Sequence, residues 1–352
     1  MSNTDYFTSD PDWEIFATEN GFSLPSKNTP PPLNKIPPIE IDVTAARAGQ
    51  SIGDSEWSDA HSLESVGYAA RLGTVKSRDE ADISIRIAFP SSSRLQGKAK
   101  TALPVLFVTH GGGWVQGSHL SEEAWLLWPL YEHLDLITVS VEYRLAPEHK
   151  HPVWIEDSWD VLEKLFSQKE PFFLSLDVEL DFKRVILAGS SSGAAISATI
   201  SHMSRDKGLP IAGVLLNVPV LCDYRHFPKD FANESQPSSY RECADTFLSS
   251  GYMISAWNGI HPSLTSGSDP LASPLLGNVG KLPPHLIFVA GQDSLRDEGI
   301  AYAEKLEKFG VPVELHVYNG VPHNFAHYEE LTATRRFWED LRAGLGKLSA
   351  SK

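Results

Sequence analysis

The chain has little cysteine and little positive charge. Two cysteines, Cys222 and Cys243, stand alone in 352 residues, and neither belongs to a C-x-x-C pair. With no disulfide framework to build, a reducing compartment, the cytoplasm, is the expectation. Lys and Arg number 30 against 45 Asp and Glu, for a net charge of −15 and a pI near 5.3, which argues against nucleic acid as a partner. No apolar run approaches the ~18–20 residues that a membrane span requires. The start, Met1-Ser2-Asn3-Thr4-Asp5-Tyr6, lacks a basic stretch followed by an apolar core, so no signal peptide is read there. His149 and His151 flank Lys150 like a metal pair, but no third ligand at fixed spacing accompanies them. Internal repeats and low-complexity tracts are also missing.

What is present is a core. Apolar residues make up 41% of the chain, enough for one large α/β domain with insertions or for two small ones. Residues 1–65 are polar, with proline runs at 30–32 and 37–38 that exclude helix interior and central strand. Tyr6, Phe7, Trp13, Phe16 and Phe22 are too many rings for a free tail, so this segment reads as short helices and extended pieces lying over the main domain. Alternating runs at 67–75 and 82–89 predict a hairpin. Continuous apolar runs at 103–109 and 136–141 predict strands covered on both faces, with a Trp- and Leu-rich helix over 121–133 between them. A helix from Pro152 to 167, strands at 184–188, 211–217, 286–290 and 313–317, and helices over 296–309 and 329–347 complete an alternating pattern. Such a pattern implies a mostly parallel sheet with helices on both faces. Residues 222–268 lack periodicity and carry seven aromatic rings among polar residues, which reads as an insertion.

The chemistry gathers at Gly189-Ser190-Ser191-Ser192-Gly193, set between the apolar run 185–188 and the small-residue run 194–200. That is strand, sharp turn and helix with a serine at the tip. Glycine is needed on both sides, because side chains there would collide with the neighbouring strand and helix. The N-terminus of the new helix favours negative charge at the same point.

In open α/β sheets ligands bind beyond the carboxyl ends of the strands. After the 103–109 strand comes His110-Gly111-Gly112-Gly113-Trp114, whose bare backbone N–H groups can approach a developing oxyanion closely. Asp293 follows the 286–290 strand and His323 follows the 313–317 strand. A serine hydroxyl becomes a useful nucleophile when an imidazole takes its proton, and the imidazole needs a carboxylate on its other nitrogen. Ser191, His323 and Asp293 fill those roles in the chain order that an α/β-hydrolase uses. Gly112, Gly113 and the N–H of Ser192 are the candidate oxyanion hole. Asp297 and Glu298 read as first-turn carboxylates of the following helix, and His327 sits four residues beyond His323.

Six motifs in order carry a resemblance: residues 110–113, 143–148, 189–193, 269–274, 293–297 and 323–325. Over about residues 65–345 the chain resembles the hormone-sensitive-lipase-like family of α/β-hydrolases. The resemblance implies an α/β-hydrolase fold with about eight strands, spanning 66–221 and 269–352. It also implies a lid built from 1–65 and 222–268. Cleavage of carboxylic esters through an acyl-serine, without metal or organic cofactor, is the implied activity, with a possible homodimer. The sequence departs from the family at Ser190, where aspartate is usual, at Ala194, where glycine is usual, and at Ser294, where proline is common.

Two other functions remain open. The same site can serve a biosynthetic acyltransferase, a chain-releasing enzyme or a lyase or cyclase acting on a bulky apolar metabolite, which the aromatic-rich insertion suits. A ligand receptor on a catalytically dead scaffold is the third reading, ranked below the others because the base is present.

Overall fold

The computed structural model describes residues 4–26, 29–98, 101–174, 176–231, 237–260, 263 and 265–350. Eight strands form one sheet: β1 (Tyr68–Lys76), β2 (Asp82–Pro90), β3 (Leu103–Thr109), β4 (Ile137–Glu142), β5 (Leu180–Ser190), β6 (Ile211–Asn217), β7 (His285–Gln292) and β8 (Val313–Pro322). Their spatial order is β1-β2-β4-β3-β5-β6-β7-β8. The β1–β2 and β2–β4 pairs are antiparallel, and every pairing from β4 through β8 is parallel. The apolar runs explain this layering. Val105, Phe107, Val139, Leu187 and Leu216 are fully buried on one face, and Leu106, Ile186, Ala188 and Leu215 on the other.

Chain order and spatial order diverge at β3. From β3 the chain crosses to β4 on one side and then returns to β5 on the other, so consecutive loops leave in opposite directions from neighbouring strand ends. This is the switch point at which open α/β sheets form their crevice. Thr109 pairs with Gly189 there, so the triple-glycine loop and the serine turn begin side by side.

The helices are α1 (Thr4–Phe7), α2 (Pro11–Asn20), α3 (Val43–Ala60), α4 (His119–Glu122), α5 (Trp128–Tyr131), α6 (Val153–Ser167), α7 (Pro171–Leu174), α8 (Ser192–Lys207), α9 (Ser239–Glu242), α10 (Ser250–Ile260), α11 (Arg296–Lys308) and α12 (Thr332–Ser349). Asp10 caps α2 through the N–H groups of Asp12 and Trp13. The rings of that segment do pack inward: Trp13 is buried and lies 5.8 Å from Phe22 and 6.1 Å from Tyr328.

Several boundaries differ from the expectations. The 121–133 helix begins at His119 and is interrupted by a π-helical turn over Glu123–Leu127. β5 starts at Leu180 rather than 184, and β8 runs on to Pro322, next to His323. Helix α12 begins at Thr332 rather than 329. In the N-terminal segment α3 is an 18-residue helix without one fully buried residue. It is held by Arg47, which donates to Val115 O and Ala146 O and forks onto Glu148. Within 222–268, α10 is regular and buries Met253, Ile254, Trp257 and Ile260. Tertiary contacts stabilise both helices where local pattern is weak.

Candidate active site

Ser191 sits between β5 and α8 with φ 53° and ψ −118°, a conformation that costs of order 1–3 kcal/mol and persists only where its surroundings enforce it. Those surroundings are close. A Cβ on Gly189 would lie 2.5 Å from Thr109 O, and one on Gly193 would lie 2.0 Å from the same oxygen. The turn is tied to β6, where Ser191 N–H donates to Asn217 O at 2.8 Å.

Asp293 and His323 emerge from the ends of β7 and β8. His323 Nδ1 and Asp293 Oδ2 are 2.6 Å apart, and Leu295 N–H donates to the other carboxylate oxygen at 3.0 Å. Both side chains are almost wholly buried. Ser191 and His323 border the same cavity of about 700 Å³, together with Gly111, Gly112 and Gly113. The neighbouring carboxylates are engaged elsewhere. Asp297 binds Arg296, Ser238 and the Ser239 N–H, and Glu298 takes the Leu221 N–H.

The glycine loop is held in left-handed turns at Gly112 and Gly113. A Cβ on Gly112 would sit 2.2 Å from Gln116 O, and one on Gly113 would sit 2.7 Å from the Tyr252 hydroxyl. The loop is braced from the 143–148 motif: Tyr143 donates its hydroxyl to His110 O at 2.6 Å, its ring stacks 4.1 Å from that of His110, and Ala146 N–H donates to Trp114 O. Complete burial lowers His110 to about 4, so the imidazole stays neutral and fills a structural place under the loop. Ser192 begins α8, and its hydroxyl oxygen accepts the Trp114 N–H at 3.3 Å.

Two residues that the sequence reading passed over stand against this machinery. Trp125, in the π turn, meets the His323 ring edge to face at 5.5 Å and stacks on His327 at 5.1 Å. Burial lowers His327 to about 4, which makes its imidazole a weaker proton acceptor than an ordinary histidine, and it packs against Trp125. Glu122, wholly buried, accepts the Gly111 N–H at 3.0 Å and the Ser190 hydroxyl at 2.6 Å. The only sequence signal for either was a Glu pair inside a Trp- and Leu-rich stretch.

Further lining comes from α3, through Ala45, Ala46, Gly49, Gly53 and Trp57 with the polar Gln50 and Asp54, and from Phe247, Tyr252 and Met253. A second hollow of about 560 Å³ lies at the amino ends of β5 to β8, lined by Ile211, Pro284, Val313 and Leu348. That is the wrong end of a parallel sheet for this chemistry. Among the described residues, no three His, Cys, Asp or Glu side chains gather as metal ligands, and no helix is long and apolar enough to cross a membrane.

A serine elbow at the switch point, with an Asp–His pair at the ends of β7 and β8, defines a class of fold. The profile of the alpha/beta hydrolase fold family matches residues 106–327, and the chain belongs to that family. Within it the chain is of the esterase type. It is 34% identical to esterase LipI of Mycobacterium tuberculosis over 70% of this chain and 72% of that one. It is 32% identical to carboxylesterase NlhH of the same species over the same shares. The structure of vibralactone cyclase superposes with a TM-score of 0.78 at 24% identity, covering 98% of this chain and 96% of that one, a likeness of fold.

Proposed function

We propose that the chain hydrolyses carboxylic esters through an acyl intermediate on Ser191. The observation that carries this reading is the 2.6 Å Asp293–His323 contact on the rim of the cavity that Ser191 enters. Asp293 holds the Nδ1–H tautomer, leaving Nε2 free to take the Ser191 proton. The Ser191 oxygen attacks the ester carbonyl, and the carbonyl oxygen takes up negative charge. The N–H groups of Gly112, Gly113 and Ser192 receive that charge in a site already organised for it, each worth about 3–4 kcal/mol of barrier. The imidazolium then protonates the departing alcohol, and water activated by the same imidazole releases the acid. The segments 1–65 and 222–268 act as the lid, since α3 and residues 247–256 wall the cavity.

Intact-mass measurement with a panel of p-nitrophenyl esters tests this. Wild-type protein is expected to gain one acyl mass, and Ser191→Ala to gain none and lose at least about 10³-fold in kcat while keeping its fold. An acyl adduct on Ser191→Ala removes Ser191 as nucleophile.

The cavity also supports a second reading. Its walls carry aromatic and small side chains beside the polar Gln50, Asp54, Gln116 and Asn324 around about 700 Å³, a space large enough for a bulky acyl group, and a fold neighbour is named a cyclase. In that case an internal or second nucleophile, not water, would take the acyl group. Turnover in ¹⁸O-water separates the two, because hydrolysis places the label in the released acid.

A further inference from the structure

Among the described residues, Glu122 is the one carboxyl that touches both halves of this site without a place in the chemistry above. One of its oxygens accepts the backbone N–H of Gly111, the first residue of the glycine loop. The other accepts the hydroxyl of Ser190, the residue before the proposed nucleophile. Ser190 Oγ in turn accepts from Asn217 Nδ2 at 3.0 Å, and Asn217 O holds the Ser191 N–H. Donation therefore runs in one direction, from Asn217 to Ser190 to Glu122, and from Gly111 to Glu122. All of these groups are buried. The ionised carboxylate, which only accepts, satisfies every donor in that chain.

Glu122 is aimed inward by the local backbone. It ends α4 where the π turn begins, and Trp125 of that turn faces His323. Such turns re-aim side chains and recur at functional sites.

We propose that Glu122 is a positioning residue whose carboxylate ties the glycine loop at Gly111 to the serine turn at Ser190, fixing the distance between oxyanion donors and nucleophile. The proposal rests on the hydrolase reading above. It also accounts for Ser190, which stands where the resembled family has aspartate: an aspartate there would set a second carboxylate against Glu122, and two carboxylates so close do not both ionise.

The test uses the full chain and four variants, Glu122→Gln, Ser190→Ala, Ser190→Asp and Ser190→Asp/Glu122→Gln, beside Ser191→Ala, with circular dichroism on each. Glu122→Gln is expected to lower kcat by about 100-fold, the size of effect that a ~1 Å misplacement produces, with KM within about threefold. Ser190→Ala is expected to lower kcat about tenfold. Ser190→Asp is expected to lose as much as Glu122→Gln, and adding Glu122→Gln to it to restore kcat about tenfold, because the amide can donate to the new carboxylate. That rescue is the readout that a merely structural role would not produce. If Glu122→Gln does not fold, Ser190→Ala and the Ser190→Asp pair decide the matter alone. An unchanged kcat in Ser190→Ala, a fully active Ser190→Asp, or no rescue overturns the positioning role while a dead Ser191→Ala leaves the hydrolase reading standing. An active Ser191→Ala overturns both.

Discussion

The Asp293 and Glu122 carboxyls show how neighbouring contacts divide labour between buried acids. Asp293 spends one oxygen on the Leu295 N–H and the other on His323, so in the proposed reaction it serves a ring that carries charge in turn. Glu122 meets only neutral donors, and burial pushes it up from 4.5 to about 7. Two titratable groups beside it, Tyr143 and His110, do not change charge in that interval. The Tyr143 hydroxyl is raised further above its ordinary value by burial, and His110, stacked on Tyr143, is held neutral by its lowered value of about 4. The sign of the linkage follows. The folded chain binds the Glu122 proton more tightly than the unfolded chain, so this group's contribution to stability is fully present below about pH 4.5. It is lost as pH rises through about 7. Between those limits the stability of the wild type relative to Glu122→Gln is expected to fall by about 3 kcal/mol. Urea unfolding of both proteins at pH 4.5, 6 and 7.5 measures this, and parallel curves would mean that the carboxyl is not held in the low-dielectric setting described.

At the scale of elements, the strands and the turns after them were readable because their physics is local. A continuous run such as 103–109 has to be covered on both faces, and Gly189 and Gly193 announce the close approach of Thr109 and His110. Ser191, Asp293 and His323 could be singled out as candidates because each follows such a run. Glu122 and the π turn could not, since their meaning lies in contacts 68 residues away in sequence with Ser190. The length of α3 was hidden for a related reason: Gly49 and Gly53 weaken its pattern, and its anchor, Arg47, binds residues about 100 positions on. Those glycines have a consequence of their own. Both line the cavity, and a Cβ at either would meet nothing within 4 Å. Glycine inside a helix is less stable than alanine by about 0.5–1 kcal/mol. Gly49→Ala and Gly53→Ala are therefore each expected to stabilise the protein by about that amount, and Gly53→Leu to lower kcat/KM for bulky esters while sparing the acetate. Thermal melts and an acetate–octanoate pair check both halves. Destabilisation by alanine would mean that the α3 glycines serve backbone geometry rather than space.

For the whole molecule, the cavity belongs to no single segment. The sheet's switch point supplies the floor with Ser191 and Gly111–Gly113, α3 supplies one wall, Phe247, Tyr252 and Met253 another, and His323 closes the side. The proposed catalytic contacts involve only the ester group itself. Whatever separates one ester from another must therefore come from the walls, where Trp57, Trp125 and Leu248 stand among the apolar residues and Gln50, Asp54, Gln116 and Asn324 among the polar ones. Each methylene that leaves water for such a wall contributes about 0.8 kcal/mol, close to a fourfold gain in kcat/KM when the contact persists in the transition state. In a p-nitrophenyl ester series, kcat/KM is expected to climb by up to about fourfold per methylene from the acetate, then fall once the chain outgrows the roughly 700 Å³ available. In Gly53→Leu the maximum should move to shorter chains, because the added side chain enters the same space. A flat series with an unshifted maximum would mean that the acyl chain leaves through the open mouth instead of lying against α3, and the wall would then have to be assigned to the alcohol half of the substrate.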